Sequence, residues 1–253
     1  MKKIIAILVF MVGVAYCYAQ PFPLDYSYVG YHMSQQPIPN ADVKVYVGWH
    51  AGDQSSRIQK AIDYVASLKP DKKTGLRGAI LLGKGRFELS EPLRINTSGV
   101  VIRGTQKGET FLLKKGVDRG AVVYIEGKAN RTITDTIHGN ARKGDDVIIV
   151  RKSTQKWINL MKCGNFGGGL DLGYWGWHPG EADLEFTRKI AGVVTGQQTF
   201  DAPLPISYDK DCIMLRYNWS GRIENSGIEN ITIESDYNKS YPKDEDHAWN
   251  GVY

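Results

Sequence analysis

The chain has 253 residues, with 32 Lys and Arg against 27 Asp and Glu and a formal charge of +5. That balance excludes the dense, clustered basicity of a nucleic-acid binder but suits an anionic polymer as partner. With 42% hydrophobic and 11% aromatic residues the chain is globular, and its three cysteines make neither a disulfide framework nor a zinc spacing, so packing has to hold it.

Residues 1–19 begin with Lys2 and Lys3, continue as IIAILVFMVGVAY and close on Cys17-Tyr18-Ala19. A basic start, a short apolar run and small residues at the cleavage positions make a secretory signal peptide. The run is short for a membrane span, and Tyr16 stands where a lipoprotein signal needs a small residue. The expectation is a secreted or periplasmic protein with no membrane attachment after cleavage. Losing Lys2 and Lys3 lowers the formal charge from +5 to +3 and leaves Cys163 and Cys212, for which a disulfide stays open. Residues 20–51, rich in Tyr and Pro, read as an extended N-terminal arm with one strand, Val43 to Val47. Its Tyr26, Tyr28 and Tyr31 either pack the arm down or stack on sugar rings.

Residues 52–129 begin with a helix, because Ile58, Ala61, Ile62, Val65 and Leu68 recur at helical spacing and form one apolar stripe. Asp53, Ser55 and Ser56 are N-cap types, Ser56 with Gln59 fits a capping box, and Pro70 stops the helix. Very short strands follow at Ala79–Leu82, Arg86–Leu89, Pro92–Ile95 and Val100–Arg103, separated by Gly, Ser, Glu-Pro and Asn-Thr-Ser-Gly. Strands this short cannot stand as a meander; they suit a coil that turns a corner every few residues and buries one or two aliphatics per side against the next rung.

The glycine-aspartate start, the IQKAID helix, the ILLGKGRFELSEPLRI run and the closing VVIRG together resemble the N-terminus of the pectate-lyase-like superfamily of right-handed parallel β-helix proteins. The resemblance covers Gly52 to Gly127 and resumes near Cys212. It implies an all-β solenoid with an N-terminal capping helix. Among such proteins it implies secreted polysaccharide lyases, glycoside hydrolases of polygalacturonase type, or phage tailspikes, so fold follows from it and reaction does not.

Residues 130–211 read as an inserted β-rich subdomain: a buried strand at Asp145–Val150, a capped helical turn at Ser153–Met161 with Trp157, Ile158 and Met161 inward, and a hairpin over Phe186–Leu204 turning at Val194-Thr195-Gly196-Gln197. Between helix and hairpin, glycines interleave with Tyr174, Trp175 and Trp177. That stretch reads equally as a substrate-contacting loop or as a lid folded over its own indoles. Glu181, Asp183 and Glu185 alternate after His178, which on a strand would put three carboxylates on one face, solvated or bridging a cation. Residues 212–253 read as resumed rungs, with Ile223, Ile228, Ile231 and Ile233 inward and Asn225 and Asn230 stacking at corners. The chain stops at Val252-Tyr253 as a strand begins, so the expectation is a solenoid whose C-terminal rungs are missing.

The chemistry concentrates in SDYNKSYPKDEDHAWNGVY. Asp244, Asp246 and His247 are the catalytic candidates. If that segment is extended, Asp244 and Asp246 point the same way about 7 Å apart, near the separation an inverting glycosidase needs, and crowding would raise one pKa enough to make an acid. Alternatively His247 removes the C5 proton of a uronate while Arg222 or Lys243 neutralises its carboxylate, which is β-elimination. Arg222, Lys243, Trp249, Trp175 and Trp177 are the candidate substrate contacts. No metal ligands are assigned and the cofactor is unknown, with Ca2+ entering if the reaction is a lyase's. The landmark motifs of polygalacturonases and pectate lyases are absent. The leading reading is a secreted lyase acting on an anionic, pectin-like polysaccharide; an inverting hydrolase, a non-catalytic glycan-binding or adhesion module, and a structural solenoid remain open.

Overall fold

The computed structural model describes residues 26–106, 108–167, 175–241 and 243–253. The signal segment, the first residues of the arm and Tyr174 lie outside the described residues. Two compact units result: one takes Ile38–Thr132 and Asn218–Tyr253, the other Ile133–Tyr217 together with residues 26–37.

The first unit opens with β1 (Val43–Val47) and helix α1 (Ser55–Ser67), on which Ile58, Ala61, Ile62 and Val65 are buried as their spacing requires. The helix start differs from the capping box. Ser56 and Gln59 do not pair. Asp53 Oδ1 instead accepts from the backbone N–H (3.1 Å) and hydroxyl (2.6 Å) of Ser55. Gln59 turns away, donating to Arg94 O at 3.0 Å and accepting from Arg94 N at 2.9 Å. The reason is physical: one amide side chain, with both a donor and an acceptor, satisfies the N–H and the C=O of the same residue on the neighbouring strand.

After α1 the chain visits three faces in turn: β2 (Gly78–Leu82), β3 (Gly85–Leu89) and β4 (Leu93–Ile95), then β5 (Val100–Gly104), β6 (Thr110–Lys114) and β7 (Ala121–Ile125). The last turn follows much later with β13 (Gly227–Glu229), β14 (Thr232–Ser235) and β15 (Asn250–Val252). Every pairing among them is parallel, and they form three sheets, β1-β2-β5-β13, β3-β6-β14 and β4-β7-β15. A chain that pairs each strand with the one a full turn later is a parallel β-coil, the architecture its short strands predict. The arm's strand joins the first sheet beside β2.

Register stacks like side chains. Ile80 lies beside Ile102 and Ile102 beside Ile228, while Phe87, Leu112 and Ile233 form a second ladder. Ile80, Ile102, Phe87 and Leu112 are fully buried, each contributing on the order of 1.5–3 kcal/mol. The corners solve a backbone problem. Gly99 and Asn225, each two residues ahead of the Val101–Gly227 pair, have φ of 83° and 56°. Asn225 is at a corner, but it stands over glycine rather than in an asparagine ladder, since both residue types tolerate the left-handed conformation.

The second unit rests on a five-stranded sheet in the order β11-β10-β9-β12-β8, comprising β8 (Asn130–Thr136), β9 (Asp146–Arg151), β10 (Leu184–Val194), β11 (Gln197–Phe200) and β12 (Cys212–Ser220). β9 pairs antiparallel with both β10 and β12. Cys212–Tyr217 therefore belongs to this sheet, and the coil resumes only at β13. The hairpin turns at Thr195 and Gly196, both with positive φ, as the sequence predicts. Helix α2 (Gln155–Met161) is capped by Thr154 and buries Ile158, whereas Met161 is exposed because the helix presents a single residue to the interior. Its core is made of Ile137, Val147, Ile149, Ile190, Cys212 and Met214. Cys163 and Cys212 are free thiols. No described helix is long and apolar enough to cross a membrane.

Candidate functional site

On the outer face of the β3-β6-β14 sheet, inward residues alternate with Arg86, Leu113 and Glu234, which point away from the core. Arg86 pairs with Glu234 and lies over the Phe111 ring at 5.3 Å. Beyond β14 the chain makes a looped crossing from Asp236 to Trp249 before β15, and it walls one side of a groove of about 720 Å³. Tyr237, Lys239, Tyr241, Asp244 and His247 line that wall.

The loop is held by its own short polar side chains. Asp236 N donates to Lys114 O at 2.9 Å, and its carboxylate meets Lys115 at 2.5 Å. Asp244 Oδ2 accepts from Asn238 N at 2.5 Å and its Oδ1 from Asp246 N at 3.0 Å. The segment is therefore curled, not extended, because an aspartate that accepts the N–H two residues on closes a turn. Asp244 and Asp246 consequently do not form a parallel acid–base pair. Asp246 faces Arg119, whose Nη2 and Nε donate to Oδ1 at 3.0 and 3.3 Å. The same guanidinium lies 5.1 Å from the ring centre of Trp249, and Trp249 Nε1 donates to Glu245 O at 3.0 Å. Asp246 and Trp249 thus fasten the loop to the segment before β7.

Electrostatics follows the same geometry. The Asn238 N–H, then the Asp246 N–H, hold the Asp244 carboxyl below its ordinary value, outweighing partial burial. A carboxylate stabilised this way is a poor proton donor, contrary to the rise expected from crowding. His247 differs. Its Nδ1 lies 2.9 Å from Ala248 O, and since a carbonyl can only accept, Nδ1 is the donor of that bond and Nε2 takes no part in it. The His247 and Tyr237 rings stand 6.1 Å apart.

The remaining sequence candidates lie elsewhere. Lys243 is exposed on a turn and does not line the groove. Arg222 stacks on Trp219 at 4.6 Å in a different depression. Trp175 and Trp177 belong to the other unit, where Trp177 stacks on Trp157 at 5.7 Å and meets Phe166 edge-on at 5.8 Å. Glu181 turns back to His178, and Asp183 binds Ser153 and Lys152, so these two of the three alternating carboxylates go to separate partners. A calcium site needs several oxygen ligands around one point. The groove's carboxylates are committed to Arg86, Lys115 and backbone N–H groups, and among the described residues no group of three or more His, Cys, Asp or Glu converges. The donor set does not fit the ion.

Arg86, Glu234, Tyr237, Lys239 and Tyr241 escape sequence reading. The tyrosines were signalled by the aromatic density of the loop, but Arg86 and Glu234 meet only through the rung register.

No family model matches the chain, and no curated protein does. Among solved structures it is similar to the Gp54 tailspike of Acinetobacter baumannii bacteriophage AP22, determined in complex with capsular saccharide, at 11% identity and a TM-score of 0.37. The match covers 73% of this chain and 27% of the tailspike, a likeness that assigns no function.

Proposed function

We propose that the chain is an exported carbohydrate-active β-solenoid whose groove on the β3-β6-β14 face binds an anionic, pectin-like polysaccharide and cleaves it by β-elimination. The leader at residues 1–19 supports export. The observation that carries the reaction is the contrast inside the groove: His247 gives Nδ1 to the Ala248 carbonyl, which leaves Nε2 to serve as the base, while Asp244 accepts from two backbone N–H groups that favour its ionised form. An inverting hydrolase needs a carboxyl that keeps its proton; elimination needs only a base. His247 takes the C5 proton of a uronate, the C4=C5 double bond forms as the C4–O bond breaks, and the leaving oxygen takes a proton from the Tyr237 hydroxyl. Lys239, which has no ion-pair partner among the described residues, faces the uronate carboxylate, and the faces of Tyr237 and Tyr241 take sugar rings.

The test is polygalacturonate cleavage followed by absorbance of the unsaturated product. His247→Ala is expected to lower the rate by about 10²-fold or more. New reducing ends without that absorbance would replace elimination by hydrolysis. Binding without turnover is the second reading, favoured by the ion pairs that tie Glu234 and Asp236; it prevails if no glycan in a panel is cut yet some are bound in the groove.

A further inference from the structure

A second depression, of about 260 Å³, lies where the segment after β7 runs beside the segment that leads into β13. Gly127, Lys128, Trp219 and Arg222 line it, with Ile125 and Ile223 as its apolar floor. Its frame is rigid. Lys128 N donates to Gly221 O at 2.7 Å, and Trp219 Nε1 donates to Lys128 O at 3.3 Å. Two glycines permit this approach: a Cβ on Gly127 would sit 2.3 Å from Gly221 O, and one on Gly221, whose φ is 86°, would sit 2.7 Å from Lys128 Cβ.

Charge here is one-sided. Arg222 and Arg131 both lie against the Trp219 ring, at 4.6 and 6.0 Å, and Lys128 adds a third cation. No carboxylate lines the notch, in contrast to Glu234, Asp236 and Asp244 in the groove, and neither Lys128 nor Arg222 has an ion-pair partner among the described residues. A guanidinium stacked on an indole keeps its N–H fork in plane, oriented for the two oxygens of a carboxylate or sulfate. The volume lies below the roughly 300–1,000 Å³ that encloses a whole ligand, so the notch takes one charged residue of a chain.

We propose that this notch is a binding subsite for an acidic sugar residue, a uronate or a sulfate ester, separate from the groove. The proposal rests on the glycan reading only in placing the anion on a sugar chain.

Calorimetric titration of the full chain with trigalacturonate, a sulfated trisaccharide, neutral maltotriose and free sulfate tests it. At least one acidic trisaccharide is expected to bind about tenfold or more tighter than maltotriose and than free sulfate, and which of them binds separates carboxylate from sulfate. Arg222→Gln should remove most of that preference, Arg222→Lys should restore part of it, and raised salt should weaken it. His247→Ala should leave it intact while removing turnover. Equal affinity for maltotriose, binding of free sulfate as tight as of the sugars, no binding of either acidic trisaccharide, or an Arg222→Gln protein with unchanged preference would each overturn the subsite. Loss of the preference in Lys239→Gln, with Arg222 intact, would place the acidic residue in the groove instead. If the wild type turns over no glycan but keeps the preference, elimination fails and the subsite stands.

Discussion

Asp53 joins the start of α1 to the first turn of the coil. Its Oδ1 accepts from Ser55 and, at 2.9 Å, from Ser90 N in the corner between β3 and β4. The Ser55 hydroxyl is the largest cause of a pKa lowered from 3.8 to about 2, helped by the Ser90 and Ser55 N–H groups and opposed by burial. A carboxyl whose folded pKa is depressed contributes stability that is complete above its unfolded value and lost as pH falls through the folded one. The difference in unfolding free energy between wild type and Asp53→Asn should therefore be constant above about pH 5 and shrink progressively as pH falls from 3.8 toward 2. Urea denaturation across that range measures it; a difference independent of pH would mean that the carboxylate's charge is not what joins helix to coil. Asp53 is legible in sequence as a capping residue type, but its second partner is not. Ser90 lies far along the chain, and nothing local in either segment names the other.

At the scale of elements, the strands are set by spacing and the corners by backbone conformation. Gly99 sits in a corner where Arg77 N donates to its carbonyl at 2.7 Å and its own N–H donates to Glu224 O at 2.9 Å. A Cβ there would lie 2.3 Å from Gly75 O and 2.8 Å from Arg77 N, both backbone atoms. Gly108 has nearly the same φ, 82° against 83°, but a Cβ on it would meet nothing within 4 Å. Gly108→Ala then costs only the strained conformation, about 1–2 kcal/mol, while Gly99→Ala adds a clash that only rung displacement can relieve, for a total of about 3 kcal/mol or more. Chemical denaturation of the two variants compares them directly, and equal losses would show that the stacked corner yields. The short strands and apolar stripe made the coil legible, because their period is local. The groove was half legible: Asp244 and His247 line it as the loop's composition suggests, but the curl of the loop, set by Asp244 itself, sends Asp246 and Trp249 to Arg119. Arg86 and Glu234 come together only once β3, β6 and β14 are in register, which no single segment encodes.

For the molecule as a whole, the question is whether the coil depends on the chain inserted between its second and third turns. The coil's apolar core runs from Val47 to Val123, with Ile228, Ile231, Ile233 and Ala248 packed against it. The inserted unit has its own core. The pairings β5–β13, β6–β14 and β7–β15 are direct, so the third turn lies on the second. Lys128 N and Gly221 O are 2.7 Å apart, so the two ends of the excursion already meet as neighbouring strands do. Replacing the intervening residues by a short glycine-containing turn shortens the closed loop and lowers its entropic cost by a modest, logarithmic amount. The shortened protein is expected to keep a cooperative thermal transition within a few degrees of the parent's. It should keep glycan binding in the groove of Tyr237 and His247, and it should lose the acidic preference of the notch along with Trp219. Calorimetry and the same trisaccharide titrations read all three. A broad, non-cooperative transition would show that the third turn is held by the inserted unit rather than by the rung beneath it, and the two cores would then have to be counted as one folding unit.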